Sequence, residues 1–323
     1  MGQEDGLIYA YRLDGKGGGT RLDWDTLPAD ADARDTWIHL DLKTERTKRW
    51  LAHESGLSPV VAAALLDEET RPRATVIDDG VLINLRGVNL NPGSDPEDMV
   101  SVRVYIDKDR IVTTRRRRLM AVQAIRDRLD AGTGPRDSAG FLIELSGQLL
   151  DRMGPVIADL DDEVDAIEDR VLTETRAALR GDLWHVRRQA ILLRRYVAPQ
   201  REAMTRLTTE PISWIDLPAA QRLREIADRV TRYVEDLDAA RERAAIVQDE
   251  LASRLGEQMN RNMYILSVIA GIFLPLSLIT GLLGINVAGM PGNSWPWAFT
   301  VVSIGLVIVG AIEYFLFKRL KWI

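Results

Sequence analysis

Between Met263 and Leu283 the chain runs for 21 residues without a charged side chain, MYILSVIAGIFLPLSLITGLL. As a helix rising 1.5 Å per residue it would extend about 32 Å, enough to cross a hydrocarbon core about 30 Å thick. A second run of the same length, Trp297 to Phe317, carries one charge, Glu313, near its end. Two spans, at about 263–283 and 297–317, are therefore predicted close to the C-terminus, joined by a loop at 284–296.

The flanks orient them. Basic residues near span ends are retained on the cytoplasmic side. Arg254 and Arg261 precede the first span, Lys318, Arg319 and Lys321 follow the second, and the loop between them is uncharged. Both termini are thus expected in the cytoplasm. Trp295 and Trp297 at one interface and Trp322 at the other fit aromatic belts. The N-terminal MGQEDGLIYAYRLDGKGGG lacks the basic and apolar segments of a secretory signal. There is no cysteine, which excludes disulfide frameworks and thiolate zinc sites.

The fold class expected is an α+β membrane protein: an N-terminal mixed α/β/α cytoplasmic domain, a long helical stalk and two C-terminal transmembrane helices. The predicted divisions are 1–135 for the α/β domain, 136–256 for long cytoplasmic helices including the start of the stalk, and 257–323 for the transmembrane domain. Strand-like runs occur at Leu7–Leu13, Trp37–Leu42, Thr75–Ile77, Val81–Val88, Met99–Ile106 and Ile111–Thr114, with helical patterns at Thr44–Ser55 and Pro59–Glu69. Asp107 to Asp109 read as a hairpin loop, and Gly15–Gly19 and Asn91–Pro96 as surface loops. Long helices follow, from Ser138 to about Glu174 and from Ala177 to about Thr209, with Pro155 and Pro199 marking a bend or an end within each. A last helical pattern begins near Leu217 and has no convincing stop before the first span ends. If continuous to Leu283 it measures about 100 Å. Its apolar residues, from Leu223 through Val230, Val234 and Leu237 to Leu251 and Leu255, fall close to heptad spacing. A helix cannot bury such a face alone. Oligomerisation through it is the preferred reading, and a bundle with the two preceding helices is the alternative.

The net charge is −6, and the bases exceed the acids in the tail from Met263. The preceding part is therefore more acidic still, which argues against nucleic acid as a partner. The run Arg115–Arg118 reads as a solvated strand end entering a helix.

Within the first span Asn260, Ser267, Ala270, Gly271, Ser277, Gly281 and Gly284 recur at three- and four-residue intervals. Small residues in such a stripe let membrane helices approach closely; a pore-facing stripe is the sharper alternative. Pro275 cannot donate to the carbonyl of Gly271, so a kink is expected there. Gly284 suits a backbone turn at the helix end. Asn286 offers an amide at the outer mouth.

FLPLSLITGLLGIN, the glycine- and proline-containing loop after it and a second span ending in KRLKWI resemble the CorA family of divalent-cation transporters. That family carries Gly-Met-Asn at the end of its first span. Here the signature is Gly284, Ile285, Asn286, followed by Met290-Pro291-Gly292-Asn293, and both features resemble the ZntB branch of zinc transporters. The resemblance implies a homopentamer in a bacterial inner membrane, with first spans lining a central pore and second spans outside. It implies a ring of five Asn286 amides at the entrance, with Asn260, Met263, Ala270, Leu274, Ser277 and Thr280 as candidate pore lining. Neutral amides can hold a divalent ion's water shell without trapping it. Directly ligated zinc would prefer imidazole or thiolate, and neither occurs in the spans, so the permeant species is expected to be hydrated. The partners implied are the chain itself, the bilayer and divalent metal ions, zinc first; no cofactor is expected. The loop lacks the acid that follows Met-Pro in magnesium-transporting relatives, which leaves the capture of cations unexplained. A magnesium, cobalt or nickel channel of the same fold, and a membrane scaffold or sensor that only oligomerises, are the alternatives.

The remaining candidates are weaker. His39, His53 and His185 show no metal-binding spacing, although Asp182 lies one turn before His185. The run Asp159 to Asp169 holds seven acids and no base, either a solvated helix face or a regulatory cation site. Glu313 is the one carboxylate in either span, hence a possible proton site. Neither GxxxxGK[ST] nor a nucleophile–histidine signature is present, so no enzyme activity is expected.

Overall fold

The computed structural model describes residues 5–27, 34–173, 178–284 and 295–320. They fall into two compact units, one of residues 1–174 with 178–248 and one that includes 249–323.

The first unit is built on a sheet. Seven strands, β1 (Leu7–Leu13), β2 (Gly19–Arg21), β3 (Thr36–Asp41), β4 (Arg73–Ile77), β5 (Gly80–Gly87), β6 (Val100–Ile106) and β7 (Arg110–Arg115), pair in the order β2-β1-β3-β7-β6-β5-β4. β3 and β7 run parallel, whereas their neighbours pair antiparallel. The β6–β7 hairpin closes as its aspartates predict, with Asp107 Oδ1 accepting from the amides of Asp109 and Arg110 at 3.0 and 2.8 Å. β2 was not predicted, because a three-residue exposed edge strand has no alternating pattern. It is held in place by the turn before it, where Asp14 Oδ1 accepts from the amides of Lys16 and Gly18 and Gly15 and Gly17 adopt positive φ.

Helices cover both faces of the sheet. Side chains alternate across a strand, so Ala10, Ile38, Leu40, Leu82 and Val112 share one face. They pack there with Trp50 and Leu51 of α1 (Glu45–His53) and Val61 and Leu65 of α2 (Pro59–Leu66). Thr44 caps α1 by accepting from the Thr47 amide, and Ser58 with Pro59 starts α2. On the other face Tyr11 donates to Asp130 at 2.8 Å and Arg126 to the Tyr9 hydroxyl at 3.2 Å, both partners lying on α3 (Met120–Asp130). Trp37 meets Phe141 of α4 (Ser138–Thr173), with ring centroids 5.1 Å apart. His39 lies fully buried on this face, its Nδ1 2.8 Å from the Thr113 hydroxyl. Burial holds its pKa down at about 3.

The next helices are α5 (Leu179–Thr209) and α6 (Leu217–Leu283). Pro155 and Pro199 lie inside α4 and α5, and neither ends its helix. Here the preferred sequence reading needs correction. Leu223, Val230, Leu237 and Ala244 of α6 are completely buried within one chain, and Val234 and Val247 nearly so. The covering surface is α4 and α5: Tyr233 donates to the Leu150 carbonyl at 3.3 Å, Arg229 pairs with Asp151 at 2.6 Å, and Arg194 pairs with Asp238 at 2.6 Å. The heptad face is thus consumed in an intramolecular bundle and carries no argument for assembly. The acidic run of α4 takes part as well, because Arg243 of α6 contacts Asp161 at 2.9 Å, Asp165 and Glu168.

Candidate functional site

Beyond Leu251 no described residue of α6 is buried. Among the described residues, its apolar stretch and α7 (Ala298–Arg319) are the two helices long and apolar enough to cross a membrane. α7 begins one residue later and ends two residues later than the span predicted for it.

The two helices meet along one face of each. A Cβ placed on Gly271 would come within 2.9 Å of Phe317 Cζ, and one on Gly310 within 3.9 Å of Leu276 Cδ1. Val268, Gly271, Ile272, Leu276 and Ile279 are the partly covered residues on this side of α6. On α7, Gly310, Glu313 and Phe317 follow at three- and four-residue spacing and so share the face turned to α6. Glu313 is half-buried, and its Oε2 is shut off without a hydrogen-bond partner among the described residues. A carboxyl in an apolar span faces protein rather than hydrocarbon.

With Gly271 set aside, and Met263 and Leu274 from the candidate lining added, the stripe becomes regular. Asn260, Met263, Ser267, Ala270, Leu274, Ser277, Gly281 and Gly284 succeed one another at intervals of three and four, the seam spacing of a helix that packs against copies of itself or lines an axis. This seam lies on the side of α6 away from Phe317. Leu274 is 67% and Met263 59% exposed, and Asn260, Ser277 and Thr280 are also exposed. Ala270 is partly covered. Ser267 donates back to the Met263 carbonyl at 2.9 Å, and Thr280 to Leu276 and Ser277 at 2.9 and 3.1 Å. Their protons are spent inside the helix, which leaves oxygen lone pairs as what they can offer a passing ligand.

α6 runs through Pro275 as one helix, and one expectation changes at its end. Gly284 is not among the glycines with positive φ; its amide donates to the Thr280 carbonyl at 2.9 Å. What glycine supplies there is room, since a Cβ would sit 3.0 Å from the Thr280 oxygen. Ile285, Asn286 and the residues through Asn293 lie outside the described residues.

The histidines separate from this region. His39 is structural, His53 and His185 are exposed, and Asp182 is paired with Arg170 at 3.1 Å. Among the described residues no three His, Cys, Asp or Glu side chains gather closely enough to hold a metal ion. The α6–α7 contact was missed at the sequence level. Its signal is a glycine, Gly271, whose missing side chain leaves room for the aromatic Phe317.

A mixed sheet domain followed by long helices and two C-terminal apolar helices defines a class of membrane protein, and the comparisons place the chain within it. Residues 32–319 match the model of the family described as CorA-like Mg2+ transporter protein. The chain belongs to that family, which comprises divalent cation transporters rather than enzymes. It is 39% identical to a protein of Pseudomonas aeruginosa described as divalent cation transporter CmaX, over 100% of this chain and 98% of that one. It is also 39% identical to the zinc transport protein ZntB of Pectobacterium carotovorum, over 99% and 97%. Among solved structures, that of the full-length CmaX protein superposes with a TM-score of 0.86 at 39% identity, covering 99% of both chains.

Proposed function

We propose that this protein carries divalent metal cations, zinc first among them, across a bacterial inner membrane as a homopentamer, through a central pore lined by the seam face of α6. The reading rests above all on the regular seam Asn260, Met263, Ser267, Ala270, Leu274, Ser277, Gly281 and Gly284 on the side of α6 that α7 leaves uncovered. A seam rich in small and polar residues on the side away from α7, in an otherwise apolar span, fits a water-filled axis or a close helix contact, and a pentamer around an axis uses both. Candidate lining residues are Asn260, Met263, Ala270, Leu274, Ser277 and Thr280. Asn286, within Gly284, Ile285, Asn286, is proposed as the ring that holds a hydrated ion at the mouth, with both termini cytoplasmic. Residues 1–135 and 136–256 then serve as cytoplasmic vestibule and control apparatus, and 257–323 as the membrane domain.

The oxygen ligands of the seam are the neutral amide of Asn260 and neutral hydroxyls, and the lining offers no imidazole or thiolate to strip water from zinc. A hydrated cation is the expected cargo. Glu313, held against α6 with one oxygen unpartnered among the described residues, is the candidate for proton coupling. Magnesium, cobalt or nickel is the second reading, favoured by the equal 39% identity to a relative named only for divalent cations. Purified protein in liposomes should take up zinc, with competing ions ranking below it, and Asn286→Ala should change the flux. No movement of any divalent metal by intact protein would refute the proposal.

A further inference from the structure

The four consecutive arginines that begin with the last residue of β7, Arg115 to Arg118, have no part in that transport reading. The C-terminal ends of the parallel strands β3 and β7 lie side by side, with Asp41 and Arg115 as register partners. After β3 the chain passes to α1 and α2 on one face of the sheet, and after β7 to α3 on the other. Adjacent parallel strands whose connections leave to opposite faces open a crevice at their carboxyl ends, and open α/β sheets bind ligands in such crevices. Here the crevice is a pocket of about 610 Å³ that gathers Arg115, Arg116, Arg117, Arg118 and Lys43 around one carboxylate, Asp41. That volume lies in the range, about 300–1,000 Å³, of small-molecule sites.

The charges there are poorly matched. Arg116 is paired with Glu68 at 2.9 Å, and Asp41 Oδ1 already accepts from the Lys43 amide at 2.9 Å. Arg115 is not solvated as the sequence suggested: it is 7% exposed, and its Nη1 has no hydrogen-bond partner among the described residues. A buried guanidinium donor without an acceptor is costly. Directly after Arg118 comes the start of α3, where Leu119 gives no side-chain cap and the first turn holds no acid, so the helix adds its own positive end. The loop opposite is braced, Asn91 Nδ2 donating to the Arg118 carbonyl at 3.1 Å and to Asn89 Oδ1 at 2.7 Å.

We infer that this crevice binds the oligophosphate group of a soluble compound, such as a nucleoside di- or triphosphate. Guanidinium forks match phosphate oxygens in pairs, and the excess of arginine over acid calls for more charge than a single phosphate carries. The inference stands on the sheet and its arginines and does not depend on the transport reading.

Calorimetric titration of the full chain in mild detergent tests it, with tripolyphosphate as probe, divalent metal removed by chelation and ionic strength held constant. Saturable binding is expected, at least about tenfold tighter than orthophosphate. Arg117→Gln with Arg118→Gln, both at exposed positions, should weaken it about tenfold or more with no change in melting temperature. Lys43→Gln should act in the same direction and less. Three results would each overturn the inference: no saturable tripolyphosphate binding, equal affinity in the arginine variant, or binding only of phosphatidic acid doped into the micelles.

Discussion

α6 is one helix read in two ways along its length. From Leu223 to Val247 most of its apolar residues form a single face, and α4 and α5 cover it, with Ile246 left exposed. From Met263 to Leu283 apolar residues surround the helix and none is buried; the distinct face is the small and polar one. In water the apolar stripe is the informative feature, because it must find a cover. In a bilayer the apolar surface needs no protein cover, and the residues that hydrocarbon does not favour become informative. Periodicity alone cannot separate the two regimes, since both halves keep three- and four-residue spacing. The polarity of the residues outside the stripe does.

Four experiments would break or sharpen that contrast. The largest effect belongs to Leu237→Ala, which should lower unfolding stability by about 2–5 kcal/mol through a cavity in the bundle, while Leu274→Ala on the uncovered seam should leave the melting temperature near wild type. Equal losses would erase the distinction. Gly271→Val is next: the added side chain meets Phe317 and should cost about 1–3 kcal/mol by overpacking, with Phe317→Ala recovering part of the loss in thermal melts in detergent. Third comes His39, neutral when folded because its pKa is held at about 3. The unfolded chain, titrating near the ordinary value of 6.5, binds the extra proton, so stability should fall as pH drops below about 6.5, by up to about 1.4 kcal/mol per unit. His39→Gln should flatten that slope in urea melts between pH 7 and 4. The smallest change is expected from Arg243→Gln. Its ion pairs with Asp161, Asp165 and Glu168 are partly exposed and worth about 0–1 kcal/mol, so a melt shifted by several degrees would show a deeper structural role.

Much of this arrangement is legible in the residues. β1, β5 and β6 alternate or run apolar between turn residues, so their ends are read to within a residue, and Thr44 and Pro59 mark the starts of α1 and α2. β2 is not legible, because three exposed residues at a sheet edge carry no burial pattern. The partner of the α6 heptad is not legible either: spacing says that a cover is required, and only the packed chain says that α4 and α5 supply it. In the membrane part the seam was visible, but Gly271 was placed in it wrongly, since a glycine that admits Phe317 and a glycine that faces an axis look alike in sequence. The burial of Arg115 was hidden for a similar reason. A run of four arginines reads as solvated, and only the junction of β3 and β7 draws its first member inside.

The central claim is that the face of α6 turned away from α7 is the ion path. The chain has no cysteine, so single cysteines can be introduced without background. In liposomes loaded for zinc flux, a water-soluble thiol reagent should block transport by Ser277→Cys and Leu274→Cys and leave Ile272→Cys, on the α7 side, unaffected. Block of Ile272→Cys with free passage through the other two would contradict the account.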